Sequence, residues 1–508
     1  MMSRLPVVRV AVGILACAML TAFAPTSSEP VSEKESDIGA FKAALEAFVS
    51  AVDAEDCSAI IDSVQTILAF DRVSNLGVEA IEELGLGGTA CAVEEGDLEL
   101  ADAIATQTTE QGAMAPWLWS VRFEIPYFDD RPEDALAVLQ KMARASTAAV
   151  DELKPEFLYR LDDQLAEKDF AQGRNWLLAL ATSGAYQPSG VLTSVDGFRS
   201  RYARLLTRQG DVSAASAQIA AIERTHTLAG IYADPQLAPL LPPALDLRAN
   251  AEAEVKKMRQ AVMLHTDRLK PVVYLSGALR AVGEYQDARA LLEEIKSKGS
   301  IGENFVDADE HENWFWDELG RTEMALGHAD AAVVAYEAGA EVGRETNDRV
   351  SQAINLAHAY VDLRRPEEAL DVLARERPDE RNISPFGIMQ VRLARGCANT
   401  MLGNEVEALS DLDAMIEHRE DGEGALAYLY LCRGDMDAAA DIYIRQLQDP
   451  DEQANARLDL AEFAPYPDGA IRPIYTVALN ELRMRPDVQA ALKDVGGMLH
   501  IPLQTIDF

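Results

Sequence analysis

Between Trp314 and Gly339 the chain runs Trp314-Phe315-Trp316-Asp317-Glu318-Leu319-Gly320, then Met324-Ala325-Leu326-Gly327, then Ala331-Ala332-Val333-Val334-Ala335-Tyr336. Apolar residues recur at three- and four-residue steps on both sides of Gly327. That is the period of a helix with one buried face, so the stretch predicts two amphipathic helices joined by a short turn. Glycine suits the joint, because it takes a left-handed backbone without strain and ends a helix sharply.

The same arrangement recurs along the chain. Gly210 precedes Ala215 by five residues, and the step returns at Gly283/Ala288, Gly327/Ala332, Gly403/Ala408 and Gly434/Ala439, with Arg364/Ala369 as a sixth copy. Nine residues after each glycine slot stands a large apolar residue: Ile219, Leu292, Tyr336, Leu373, Leu412 and Tyr443. Eight before it stand Tyr202, Leu275, Leu319, Leu356 and Leu426, with Arg395 as the exception. Seven before it come only small residues: Ala203, Ser276, Gly320, Ala357, Gly396 and Ala427. A small residue lets two helices cross closely, and the large ones fill the space around the crossing. The last five slots are spaced by 44, 37, 39 and 31 residues. The longer gap from Gly210 to Gly283 holds a Pro-rich loop, Pro235 to Pro243, and one long helix over about Leu245–Leu264, which read together as a degenerate repeat.

These residues resemble the tetratricopeptide repeat, whose period is 34 and whose frame is W-x2-L-G-x2-Y followed by glycine, alanine and an aromatic. Trp316, Leu319, Gly320, Gly327, Ala332 and Tyr336 match the frame in one copy, and Leu426, Ala427, Tyr430, Gly434, Ala439 and Tyr443 match it in the last. Glu323 stands where an aromatic is usual, and Arg395 fills a leucine slot. The resemblance implies an all-α, right-handed α-solenoid of antiparallel helix pairs, close over residues 196–445 and diverged over residues 38–195. Beyond it, residues 446–508 read as capping helices (Asp451–Phe463 and Pro473–Met484), a last short helix from Pro486 and an extended tail, since an array needs a polar outer face at its end.

In the N-terminal part, helices are expected over Asp37–Val52 and Ala59–Phe70. Gly85–Gly88 and Pro126 read as breaks, and a hairpin is expected over Leu158–Glu167 and Arg174–Thr182. Arg4 and Arg9, the apolar run Val10–Phe23 and Ala22-Phe23-Ala24 predict a secretory signal over residues 1–24, followed by a tether over residues 25–37. The alternative is a lipid anchor at Cys17, because Ile14-Leu15-Ala16-Cys17 resembles a lipobox. Either way the expectation is export, with a periplasmic location. No later stretch is apolar for the roughly 20 residues that span a bilayer.

With 84 acidic and 46 basic side chains the net charge is −38. Such a field repels nucleic acid and anionic headgroups, and its scattered acids make a solvated surface. Loss of residues 1–24 would leave Cys57, Cys91, Cys397 and Cys432, enough for two disulfides in an oxidising compartment. Cys57–Cys91 and Cys397–Cys432 are the sequence-near pairing among three connectivities; buried free thiols are the alternative.

No nucleophile motif, phosphate loop or dinucleotide fingerprint occurs, and His311-Glu312 lacks the second histidine of a zinc-protease helix. No enzyme activity, cofactor or metal is therefore expected. Asp307, Asp309, Glu310, His311 and Glu312 could hold a cation weakly, but acids at a helix start are the simpler reading. The resemblance instead implies a concave groove lined by the first helices, at the second, fifth and ninth residues of each repeat. Those slots give Trp314, Asp317, Arg321, Ile354, His358, Leu393, Cys397 and Tyr428. Their mix of apolar and polar groups suits an extended peptide or helix. The expected function is thus an exported scaffold or adaptor that binds a protein or peptide of the cell envelope. The alternative is a periplasmic carrier or sensor of a small ligand such as a glycan or peptidoglycan fragment.

Overall fold

The computed structural model describes residues 31–346, 349–376 and 383–504. The signal-like segment, Cys17 and the last four residues lie outside them. Contacts divide the chain into two units, residues 1–198 and 199–508. Among the described residues the secondary structure is helical apart from two very short strands, and no helix is long and apolar enough to cross a membrane.

In the first unit α1 (Val31–Asp53) packs on α2 (Cys57–Leu68), α3 (Val78–Glu95) on α4 (Leu98–Glu110), and α5 (Pro116–Phe128) on α6 (Pro132–Ala145). A short α7 (Thr147–Asp151) leads to the pair α8 (Pro155–Glu167) and α9 (Ala171–Thr182). Three differences from the sequence reading have physical causes. α1 starts at Val31, within the stretch expected to be a tether. α3 runs unbroken through Gly85, Gly87 and Gly88. A Cβ on Gly85 would lie 2.7 Å from Thr108 Oγ1, and one on Gly88 would lie 2.9 Å from Val64 Cγ1. These glycines admit neighbouring helices rather than ending their own. Pro126 falls in the last turn of α5, where its ring removes one hydrogen bond and the helix closes two residues later.

The second unit opens with α10 (Asp196–Arg208), α11 (Val212–Ala220), α12 (Thr225–Ala233) and the long α13 (Leu247–Leu264). Paired helices follow: α14 (Lys270–Ala281) with α15 (Tyr285–Ser297), and, after the single-turn α16 (Ile301–Asn304), α17 (Ala308–Ala325) with α18 (Ala329–Thr346). Next come α19 (Arg349–Asp362) with α20 (Pro366–Glu376), α21 (Pro385–Leu402) with α22 (Glu405–Glu417), and α23 (Glu423–Arg433) with α24 (Met436–Gln448). The architecture is an all-α solenoid.

The repeat rules operate as physics requires. Gly210, Gly283, Gly327, Gly403 and Gly434 all have φ between +74° and +82°, and Arg364 adopts +57° in the same slot. The small slots are crossings: a Cβ on Gly320 would stand 2.7 Å from the Tyr336 ring, and one on Gly396 would stand 2.8 Å from Leu429. The departures are paired. Glu323 is buried and accepts from Arg289 Nε at 2.7 Å, with His328 Nδ1 at 2.6 Å, while Arg395 grips the buried carboxylate of Asp411. Core residues from Met324 to Leu492 form one cluster through the later repeats and the cap.

Cys57 is joined to Cys91, and Cys397 to Cys432, so the sequence-near pairing holds. The second bond ties α21 to α23, the first helices of successive pairs.

The cap departs from a plain helical plug. α25 (Gln453–Asp459) leads to β1 (Glu462–Phe463), then residues 464–475 run without helix. α26 (Thr476–Arg483), α27 (Pro486–Asp494) and β2 (His500–Ile501) follow, with β2 parallel to β1. Residues 464–475 form a strap against the first helices of the repeats.

Candidate functional site

Helix ends leave backbone carbonyls without intrahelical partners, and the strap and tail supply some of those partners. Ile471 N–H donates to the Met324 carbonyl at the end of α17 (2.9 Å), and Gln504 N–H donates to the Ala281 carbonyl at the end of α14 (2.9 Å). The carboxylate of Asp362, the last residue of α19, accepts from Ile474 N–H at 3.0 Å. Farther along, Tyr475 stacks on Tyr428 of α23 with ring centroids 4.2 Å apart. Tyr285 donates to Gln504 Oε1, whose amide nitrogen donates to the Pro465 carbonyl.

One turn glycine, Gly327, lets this happen. A Cβ on Gly327 would meet the Gly469 carbonyl oxygen at 2.5 Å, and one on Gly283 would touch Gln504 at 3.5 Å; at Gly403 and Gly434 the same position is open.

Between strap and helices lies a cavity of about 340 Å³. Its helix wall includes Arg280, Asp317, Arg321, Asn355, His358 and Gln390, and its strap wall includes Tyr466, Ile471, Pro473 and Tyr475. Five of the eight residues expected in the groove line it: Asp317, Arg321, His358, Leu393 and Tyr428. The other three do not. Trp314 is 38% exposed elsewhere on α17, Ile354 is buried in the core, and Cys397 is sealed in its disulfide. Gln390 occupies a second-residue slot by the same count that gave Asp317 and Arg321, and was legible on that rule. Asp362 and the strap residues were not, because they enter from helix ends and from a segment distant in sequence.

The charged groups are matched within the protein. Asp317, 2% exposed, accepts from Arg321 Nε at 2.6 Å and from Asn355 Nδ2 at 3.0 Å. Arg280 makes a two-pronged pair with Glu318 at 2.8 and 3.1 Å. Burial raises the Asp317 carboxyl above its ordinary range, and Arg321 opposes that shift. Burial also carries Asp362 up to about 7, opposed by the Ile474 N–H. The imidazole of His358 is pushed by burial down to about 4, so it is neutral at pH 7. His358 Nε2 is shielded from solvent and has no hydrogen-bond partner among the described residues.

Asp307, at the start of the acidic cluster, has a structural role. Asp307 accepts from the backbone N–H of Leu269 (2.6 Å) and Lys270 (3.2 Å), holding the start of α14. Among the described residues no group of three or more His, Cys, Asp or Glu could hold a metal ion.

Most of this wall falls within residues 245–308 and 318–421, which match the family model described as Tetratrico peptide repeat. Over those residues the chain is similar to tetratricopeptide-repeat proteins. Two solved structures align with it. The P58(IPK) TPR domain is 12% identical, with 80% of this chain and 99% of that chain covered, at a TM-score of 0.21. Yeast Tom70 is 13% identical, with 90% and 98% covered, at a TM-score of 0.25. At these scores neither likeness bears on the site. No curated protein matches the chain in sequence. The cavity lies against the first helices of successive pairs, roofed by the chain's own C-terminal strap.

Proposed function

We propose that this chain is an exported tetratricopeptide-repeat scaffold that holds a partner protein through an extended peptide on the inner wall of its repeats. A tetratricopeptide fold suggests a protein-interaction scaffold. The observation that carries the finer reading is the strap: the wall already engages an extended stretch of polypeptide, by hydrogen bonds to helix-end groups and one aromatic stack. Backbone hydrogen bonds with alternate side-chain pockets are a general way of gripping extended chains. A partner would meet this wall by replacing the strap, so its segment would carry an aliphatic residue in the place of Ile471 and an aromatic in the place of Tyr475.

The test uses a labelled peptide with the sequence of residues 464–475 and a full-length variant whose own strap is weakened, Ile471→Asp with Tyr475→Ala. The peptide binds this variant about tenfold or more tighter than the wild type, a difference of about 1.4 kcal/mol. Adding Tyr428→Ala to the variant abolishes the gain. Equal binding to both proteins, with helix content unchanged, sinks the reading.

Export is supported by the signal-like residues 1–24 and by two disulfides, which persist in oxidising compartments. Cell fractionation with thiol alkylation tests it. Periplasmic protein with four blocked cysteines agrees, and cytosolic protein with free thiols refutes it. Lipid labelling that depends on Cys17 would assign the anchor instead.

A further inference from the structure

We infer that the cavity beneath the strap is a binding site for a small, uncharged, polyhydroxylated ligand of the saccharide class. Its volume of about 340 Å³ lies at the small end of ligand pockets, which run from about 300 to 1,000 Å³. That suits a single sugar ring or a disaccharide rather than a folded partner.

The lining selects against anionic ligands. Arg280 is already paired with Glu318, and Arg321 with Asp317. An anionic ligand would have to break a largely buried pair or bring in an unmatched charge, and both are costly. What remains available is neutral hydrogen-bonding chemistry beside the Asp362 carboxyl, which burial carries up to about 7. His358 supplies a buried Nε2 with no partner among the described residues, and a buried polar atom left unpaired is destabilising until something bonds to it. Gln390 of α21, which also interacts with His358, and Asn355 of α19, whose Nδ2 already donates to Asp317, line the same space. The imidazole is neutral at pH 7 and so presents either a donor or an acceptor, as a hydroxyl requires. Aromatic rings face the same space from two sides, Tyr336 and Tyr428 from the helices and Tyr466 and Tyr475 from the strap. A sugar ring presents hydroxyls at its rim and C–H groups on its faces, which is the pattern this wall complements. The site is separate from the peptide reading, because it needs the strap in place, whereas a bound peptide replaces it.

The test is titration calorimetry on the full-length protein with glucose, N-acetylglucosamine and maltose. Glucuronate and glutamate serve as charged controls. At least one neutral sugar binds saturably, and the charged compounds bind at least tenfold more weakly. His358→Leu lowers the sugar affinity at least tenfold with unchanged circular dichroism, while Trp314→Ala, outside the cavity, leaves it unchanged. If His358→Leu does not fold, Gln390→Leu gives the same reading from the opposite helix. The inference is overturned by the absence of saturable binding with all three sugars, by glucuronate or glutamate binding as tightly as the sugars, or by His358→Leu and Gln390→Leu both retaining full affinity. A peptide that binds the strap-weakened variant while no sugar binds the wild type would remove this site and leave the scaffold reading standing.

Discussion

Gly327→Ala separates two roles that one glycine performs. At φ +80° an alanine pays the left-handed penalty, about 1–2 kcal/mol. Its Cβ would also stand 2.5 Å from the Gly469 carbonyl oxygen, a backbone atom that moves only with the strap. Gly403→Ala is the control: φ is +74° and its Cβ meets nothing within 4 Å. The left-handed term is common to both, so the difference reports the strap. Pushing Gly469 away strains the bond from Ile471 N–H to Met324, worth about 0.5–1.5 kcal/mol. It also strains the Tyr475–Tyr428 stack, worth about 0.5–1.5 kcal/mol. Together these come to about 1–3 kcal/mol, or roughly 5- to 150-fold faster strap opening. Hydrogen–deuterium exchange of peptides spanning residues 464–479 reads this directly, because the amides of Ile471 and Ile474 are hydrogen-bonded to the repeats. Faster exchange in Gly327→Ala alone is the expected result. Equal strap protection in wild type, Gly327→Ala and Gly403→Ala would show that the strap is not held where the geometry places it.

Arg364→Gly should raise the thermal midpoint, since a non-glycine residue at φ +57° gives up about 1 kcal/mol that glycine recovers; a lowered midpoint would show that the arginine side chain outweighs the strain. Gly88→Ala should destabilise the first unit despite the better helix propensity of alanine, about 1 kcal/mol, because crowding Val64 costs about 1–3 kcal/mol; a stabilised variant in urea unfolding would contradict this. Asp362, held up at about 7, keeps a proton in the folded chain that the unfolded chain releases near pH 4. Its contribution to stability therefore falls as pH rises through that window, and Asp362→Asn should gain most over wild type at pH 8 and least at pH 4 in thermal melts. His358 has the opposite sign: held down at about 4, it costs stability as pH falls from about 6.5. His358→Leu should flatten that acid limb, and an unchanged limb would refute the assignment.

How much of this was legible depended on whether the determining contact is local. A left-handed turn and a close helix crossing each require a residue type at a fixed place in one repeat. Gly210, Gly283, Gly327, Gly403, Gly434, Gly320 and Gly396 could therefore be read at once, and so could the inward positions of Asp317, Arg321, His358, Leu393 and Tyr428. Gly85 and Gly88 were misread because glycine has two uses, ending a helix or admitting a neighbour, and only Thr108 and Val64 decide between them. Trp314, Ile354 and Cys397 show the limit of transferring slots from a resemblance: Trp314 lies outside the cavity on the same helix that places Asp317 and Arg321 in it. The strap had no periodicity to announce it. Its Pro465, Pro467 and Pro473 mark an extended segment, but not the surface on which it lies.

A solenoid of helix pairs is in mechanical terms a spring, because each pair contacts little beyond its neighbours and the whole stretches by small rotations. Here the coils are tied. The Cys397–Cys432 bond is a rigid link between two successive turns, and the strap and tail run as a tendon from Ala281 past Met324 and Asp362 to Tyr428. Tension applied between α14 and α23 must detach the tendon before the coils extend, and the linked turns extend last. The array therefore yields in steps, stiff at first, compliant once the tendon releases, and stiff again at the covalent link.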